Sequence, residues 1–125
     1  MTSPLALVVD DDDDIRLLVE LALTSFAGWR VVTATDGREA VAAAREHRPS
    51  VVLMDVMMPE MDGLAAAATL LADPTTADIP IVLVTAKLNV PGEPAPWEHL
   101  AVAGVIAKPF DPIGLADQVR ALVGW

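Results

Sequence analysis

The chain has 125 residues, of which 54% are hydrophobic, and this is enough to form the core of one domain. Its formal net charge of −10 argues against binding to nucleic acid or to an anionic membrane surface, because both attract Lys and Arg. The sequence has no cysteine, no secretion-signal pattern and no apolar run of the roughly 18 residues that a membrane span needs. We therefore expect a single cytoplasmic domain over residues 1–125.

Short runs of β-branched and other apolar residues alternate with helical patterns along the chain. The first strand is followed by five consecutive aspartates, and apolar residues then recur at helical spacing from residue 15 onward. The same alternation continues to the last helix. The predicted strands are 5–9, 30–34, 50–55, 79–86 and a short run within 104–112, and the predicted later helices are 38–47, 64–72 and 113–124.

Residues 87–104, "KLNVPGEPAPWEHLAVAG", are the least regular part of this pattern. Proline inside a helix removes a donor and clashes with the preceding turn, at a cost of roughly 3 kcal/mol. We predict a long loop here, followed by a shortened or displaced fourth helix within 97–103.

Nearly continuous apolar strands separated by helices predict a parallel sheet covered on both faces, which is a doubly wound α/β domain. Ligands of such domains bind beyond the carboxyl ends of the strands. The residues at those ends are polar. They are Asp10 and Asp11 after the first strand, Asp55 at the end of the third, Thr85 at the end of the fourth and Lys108 after the fifth.

This set of side chains predicts chemistry on phosphate. Three neighbouring carboxylates repel one another unless a cation neutralises them, and Mg²⁺ is the natural choice for oxygen ligands. A carboxylate is also a nucleophile toward phosphorus, while a lysine and Mg²⁺ neutralise charge on the transferred oxygens. Each residue alone has an ordinary explanation as a turn, strand or surface residue. Their shared position at one sheet edge favours a site.

Four segments resemble the signature segments of the response-regulator receiver domains of two-component signalling. They are "LALVVDDDDDIRLLVELAL", "VVLMDVMMPEMDGL", "IPIVLVTAK" and "GVIAKPFDP". Their order and spacing agree with the family over nearly the whole chain. The resemblance implies a flavodoxin-like strand order of 2-1-3-4-5.

The resemblance also implies residue roles at the acidic end of the sheet. Asp55 matches the phospho-acceptor, which would take a phosphoryl group from a histidine kinase or phosphotransfer protein. Asp10 and Asp11 match the acidic pair that binds Mg²⁺, with Asp11 as a direct ligand and Asp10 acting through water. Met57 matches the position whose backbone carbonyl completes the metal site, so its apolar side chain is no objection.

The remaining roles concern the switch and the partner surface. Thr85 matches the switch hydroxyl, with Ala86 beside it, and Lys108 matches the lysine that pairs with the phosphoryl group. Many receivers have an aromatic residue two or three positions before this lysine, where this chain has Val105 and Ile106. We therefore expect a different switch, and we expect Trp97, on the irregular segment, to contact a partner.

Two other functions stay open. A receiver-like module that binds proteins without being phosphorylated is the main alternative. A phosphohydrolase with an aspartate nucleophile is disfavoured, because its second acid would stand two residues after Asp55, where this chain has Met57. A calcium loop does not fit, since Ile15 and Leu21 would replace its glycine and its bidentate glutamate. We expect a stand-alone signalling domain and not an enzyme that turns over a substrate.

The five aspartates are predicted to have two separate jobs. Asp10 and Asp11 belong to the metal site. The other three, residues 12–14, lie at the start of the first helix, where carboxylates cap free backbone N–H groups and meet the favourable end of the helix dipole.

Overall fold

The computed structural model is built on one parallel β-sheet of five strands. It describes residues 3–58, 62–86, 92 and 94–125. The strand order is β2-β1-β3-β4-β5, which confirms the predicted order. The strands are β1 (Leu5–Val9), β2 (Arg30–Ala34), β3 (Val51–Asp55), β4 (Ile81–Thr85) and β5 (Gly104–Ala107).

Helices connect most of these strands and cover both faces of the sheet. An aspartate immediately precedes each of the first three helices, and its side chain accepts a hydrogen bond from a backbone N–H of the first turn. Among the described residues, no helix has the length and apolarity needed to cross a membrane. The helices are α1 (Asp13–Ala27), α2 (Gly37–His47), α3 (Gly63–Ala72) and α4 (Leu115–Val123).

The apolar strands supply two cores, one on each face of the sheet. Alternate residues of β1 point in opposite directions, so Ala6 and Val8 join the core beneath α1 and α4, while Leu7 and Val9 join the core beneath α2 and α3. All four are buried. Burial on both faces explains why these strands read as continuous apolar runs.

The segment between β4 and β5 differs from the regular pattern. Residues 96–99 form turns instead of the short helix predicted at 97–103, and that part of the prediction is wrong. The N–H of Glu98 donates to the carbonyl of Ala95 at 3.0 Å, and the N–H of Leu100 donates to the carbonyl of Trp97 at 2.9 Å. Both bonds join residues three positions apart, which closes turns but is not the four-residue spacing of an α-helix. Much of the long loop predicted before residue 97 lies outside the described residues, which include 92 and 94–96 of it.

Candidate functional site

The aspartates of the run 10–14 lie in different environments between β1 and α1. Asp10 is buried at the end of the strand, while Asp11 is exposed. Asp12 is the helix cap, and its carboxylate accepts the N–H groups of Asp14 at 2.9 Å and Ile15 at 3.1 Å. The predicted cap is thus confirmed for Asp12.

Asp55 ends β3 at the same edge of the sheet and is 6% exposed. The strands are parallel, and Val9 of β1 pairs with Met54 of β3, so the residues that follow them lie side by side. The backbone N–H of Met57 donates to the Asp55 carboxylate. The Met57 side chain is 65% exposed.

Lys108 forms ion pairs with the two buried carboxylates, Asp10 and Asp55. Its Nζ lies 2.9 Å from Oδ2 of Asp10 and 3.3 Å from Oδ1 of Asp55, and its side chain is 17% exposed. The peptide bond to Pro109 is cis. The ammonium group therefore lies between two acids that come from different strands.

Burial and neighbouring charges shift the pKa values of Asp55 and Lys108, and both pKa values end above their ordinary values. Burial raises the pKa of Asp55, the charge of Asp10 raises it further, and Lys108 and the Met57 N–H offset only part of this. For Lys108, burial lowers the pKa, but hydrogen bonds and charge from Asp10 and Asp55 outweigh burial and raise it overall. Asp55 thus holds a proton more tightly than an ordinary aspartate, while Lys108 stays charged.

The acidic cluster has the donor set of a site for a hard divalent cation. Asp10, Asp11 and Asp55 each offer one carboxylate oxygen, and these atoms lie within 4.8 Å of one another. Lys108 supplies only one positive charge against three carboxylates. Oxygen ligands of this kind fit Mg²⁺, so the residues present are compatible with such an ion.

Thr85 lies at the end of β4 with 2% exposure. Its carbonyl oxygen accepts the backbone N–H of Lys108 at 3.0 Å, which links the strand end directly to the lysine. Ala86 is exposed. Val105 pairs in register with Leu83, two residues before Thr85, and packs partly buried against the core beneath α2 and α3.

Trp97 does not belong to the acidic site. It is partly buried and packs, with Leu100, against the core beneath α2 and α3. Its role in partner binding stays a prediction.

Comparison with known proteins agrees with this architecture. The family model described as "Response regulator receiver domain" matches residues 6–120. The chain belongs to the response regulator receiver domain family.

Individual relatives place this receiver domain among signalling proteins. It is 37% identical over 123 residues to the transcriptional regulatory protein PrrA of Mycobacterium tuberculosis, covering 98% of this chain and 51% of the relative. The chemotaxis protein CheY4 of Vibrio cholerae has a TM-score of 0.84 and 31% identity, over 97% of this chain and 99% of that chain. The chain thus spans about half the length of PrrA and nearly all of CheY4.

A third structure contains a metal ion. The receiver domain of the sensor histidine kinase PA1611 of Pseudomonas aeruginosa PAO1 has a TM-score of 0.86 and 27% identity, covering 99% of this chain and 100% of that chain. It carries a magnesium ion coordinated in its active-site cleft.

Two residues next to the receiver's acidic site were not predicted to matter. Arg16 on α1 contacts both the carbonyl of Asp10 and the carboxylate of Asp13. Gly63 begins α3 against the backbone of Asp55. Helical periodicity assigns Arg16 only to a polar face, and a "DG" pair indicates only a turn, so neither contact has a local signal in the sequence.

Replacing Lys108 with methionine is expected to destabilise the receiver domain at pH 7. Without the ammonium group, the carboxylates of Asp10 and Asp55 face each other and the pKa of Asp55 rises further. Removing one partner of a fully buried ion pair costs about 3–5 kcal/mol, and we expect about 2 kcal/mol because Lys108 keeps some exposure. Urea unfolding measures this loss.

The double variant Lys108→Met with Asp10→Asn is the control for that experiment. It leaves one buried carboxylate in place of two, so we expect it to recover part of the lost free energy of unfolding. A double variant less stable than Lys108→Met alone would show that repulsion between the two acids is not the cause.

Proposed function

We propose that residues 1–125 form a single receiver domain that accepts a phosphoryl group on Asp55. The donor is the phosphohistidine of a histidine kinase or phosphotransfer protein, and the reaction depends on Mg²⁺. The observation that carries this proposal is the position of Lys108 Nζ, 2.9 Å from Asp10 and 3.3 Å from Asp55, beside a cluster of three carboxylates. Lysine and a divalent cation together neutralise phosphoryl oxygens.

The chemistry follows from the groups at the strand ends. An Asp55 oxygen attacks phosphorus, a P–O bond forms, and the P–N bond of the donor histidine breaks with its electron pair returning to the imidazole. Asp10, Asp11, Asp55 and the backbone carbonyl of Met57 would hold Mg²⁺, which supplies positive charge to the phosphoryl oxygens when bound. Lys108 then pairs with the phosphoryl group in place of the Asp55 carboxylate.

Signalling would begin at Thr85. Its hydroxyl donates to a phosphoryl oxygen, and its carbonyl already accepts the N–H of Lys108 at 3.0 Å. Thr85 and Lys108 therefore both respond to phosphorylation of Asp55. Ala86 would follow Thr85. The position of the usual aromatic switch residue holds Val105, which is packed against the core, so movement of β4 and the segment carrying Trp97 would transmit the signal.

The proposed partners follow from this role and from the charge of the chain. They are the phosphodonor protein and a downstream protein, and they include neither nucleic acid nor a membrane, since a net charge of −10 repels phosphate-rich surfaces. The domain takes up a phosphoryl group on its own Asp55 and later catalyses the loss of that group. It is not an enzyme that turns over a separate substrate. We place it in the cytoplasm, in keeping with a sequence that lacks cysteine.

Intact-mass spectrometry of the wild-type protein tests the proposal. After incubation with acetyl phosphate and MgCl2, we expect one phosphate adduct per chain, and chelation of the metal with EDTA is expected to prevent it. A folded protein that takes up no phosphate at any MgCl2 concentration would favour the protein-binding module that is not phosphorylated. Repeated turnover of assorted phosphate esters would favour the phosphohydrolase.

A further inference from the structure

Arg16 holds the backbone of the metal-binding segment by two contacts. Its Nη1 donates to the backbone carbonyl of Asp10 at 3.0 Å, and its Nη2 pairs with the carboxylate of Asp13. The side chain is 18% exposed, so most of it lies against the protein. Arg16 thus fastens the end of β1 to the first turn of α1.

The hydrogen bond to the Asp10 carbonyl completes a fixed set of contacts on that residue. Its N–H donates to Ala34 at 3.2 Å, while its carboxylate accepts the N–H of Asp12 at 2.9 Å and the ammonium of Lys108 at 2.9 Å. Backbone and side chain of Asp10 are therefore held from four directions, and Arg16 supplies the one that fixes its carbonyl.

Fixing this carbonyl also constrains the backbone of Asp11. The Asp10 carbonyl and the N and Cα atoms of Asp11 belong to one planar peptide unit. Asp11 is the exposed member of the three acids, so packing does little to orient it. The bond from Arg16 thus fixes the N and Cα positions from which the Asp11 side chain extends.

We propose that Arg16 is a positioning residue for Mg²⁺ binding, acting through the Asp10–Asp11 peptide. The inference rests on the proposed function, since it concerns the same metal site. Arg16 contacts the Asp10 carbonyl and the Asp13 carboxylate, and not the three carboxylates proposed to bind the metal. Its effect on Mg²⁺ binding is therefore through the geometry of the site.

Charge and geometry predict opposite results for an Arg16 variant. Removing a positive charge next to three carboxylates would strengthen the binding of a divalent cation if charge alone mattered. Releasing the peptide that carries Asp11 would weaken it, because outer contacts that orient metal ligands commonly contribute about 10- to 100-fold to affinity. The sign of the change therefore separates the two explanations.

The experiment is an NMR titration of the metal-free protein with MgCl2, following backbone amide resonances. For Arg16→Gln we expect about tenfold weaker Mg²⁺ binding, with shifts at the Asp11 amide before metal is added. Arg16→Lys keeps the charge, but its compact ammonium does not reproduce the two-pronged contact of the guanidinium, so we expect Mg²⁺ binding about threefold weaker than wild type and a smaller shift at the Asp11 amide. The same spectra report whether each variant is folded.

Arg48→Gln is the matched control for net charge. Arg48 caps the end of α2, which the chain direction places at the opposite edge of the sheet from the acidic site. We expect its Mg²⁺ affinity to stay within about twofold of wild type, because salt screens charges at that separation.

Three results would overturn the inference. Arg16→Gln that binds Mg²⁺ as tightly as wild type, or more tightly, would show that Arg16 does not position the site. If Arg16→Gln does not fold, an Arg16→Lys variant whose Asp11 amide and Mg²⁺ affinity are both unchanged gives the same answer. Wild-type protein that binds no Mg²⁺ would remove the proposed metal site itself, and the role of Arg16 with it.

Discussion

Asp55→Asn is expected to abolish the phosphate adduct formed with acetyl phosphate and MgCl2. Asparagine has nearly the shape of aspartate but lacks the negatively charged oxygen that attacks phosphorus. Asp10 and Asp11 remain in the variant, so the experiment also asks whether the other acids of the cluster can accept phosphate. Intact-mass spectrometry measures the fraction of modified chains.

The matched control is Asp78→Asn. Asp78 is exposed and precedes β4, so it lies near the opposite edge of the sheet from the site. Its variant should take up phosphate at the wild-type level. An adduct that persists in Asp55→Asn would assign the phospho-acceptor to another residue.

Asp55→Asn is also expected to stabilise the metal-free fold at pH 7. Burial raises the pKa of Asp55, as does the charge of Asp10, and Lys108 and Met57 offset only part of this. The folded protein therefore binds the proton more tightly than the unfolded chain. The free energy of unfolding of the wild-type protein therefore falls as the pH rises from 3.8, the ordinary pKa of aspartate, through the raised pKa of Asp55. Asparagine cannot ionise, so the variant avoids this loss.

We expect the melting temperature of Asp55→Asn to exceed that of wild type by a few degrees at pH 7 without Mg²⁺, on the scale of about 1 kcal/mol. Below the ordinary pKa the difference should vanish, because the wild-type carboxyl is then protonated as well. Added MgCl2 should narrow the gap by stabilising wild type through binding. Calorimetry at several pH values checks the sign, and a variant less stable than wild type at pH 7 would contradict it.

These expectations depend on a site whose main parts could be predicted from the chain. Asp10, Asp55 and Thr85 each stand where a continuous apolar run stops, and parallel strands bring such positions to one edge. The pattern therefore predicts the sheet and the meeting of these residues. The strand order came from resemblance, since periodicity alone does not set which strands are neighbours.

Other features depend on contacts that local pattern does not contain. Residues 96–99 form turns while Trp97 and Leu100 pack on the core, and this packing has no signal in the local pattern. Arg16 on α1 donates to the carbonyl of Asp10, six positions earlier, and this contact depends on how the segment between β1 and α1 turns. Gly63 is a further case, where the requirement is for space.

Gly63 is required because no side chain fits between α3 and the end of β3. A Cβ atom added there would lie 2.0 Å from the carbonyl oxygen of Asp55, and 2.9 Å from both the Asp55 carbonyl carbon and the Val56 Cα. All three are backbone atoms, so no rotamer change relieves the overlap. The N–H of Gly63 also donates to the carbonyl of Val56 at 3.0 Å, which keeps the two segments in contact.

Gly104 offers a matched comparison, because the three atoms nearest to its added Cβ all belong to the side chain of Leu122. The nearest atom is Cδ2 of Leu122 at 2.5 Å, and this end of a flexible side chain can move away. The two glycine-to-alanine substitutions thus add the same methyl group against a rigid and a yielding neighbour.

Gly63→Ala is expected to lower the free energy of unfolding by about 3 kcal/mol or more, at the upper end of overpacking effects, and Gly104→Ala by about 1 kcal/mol. Urea unfolding measures both. Because the displaced backbone carries Asp55, Gly63→Ala should also slow phosphate uptake in molecules that remain folded, whereas Gly104→Ala should not. Equal losses of stability in the two variants would show that the α3 and β3 backbones separate easily, and Asp55 would then be held chiefly by its strand and by Lys108.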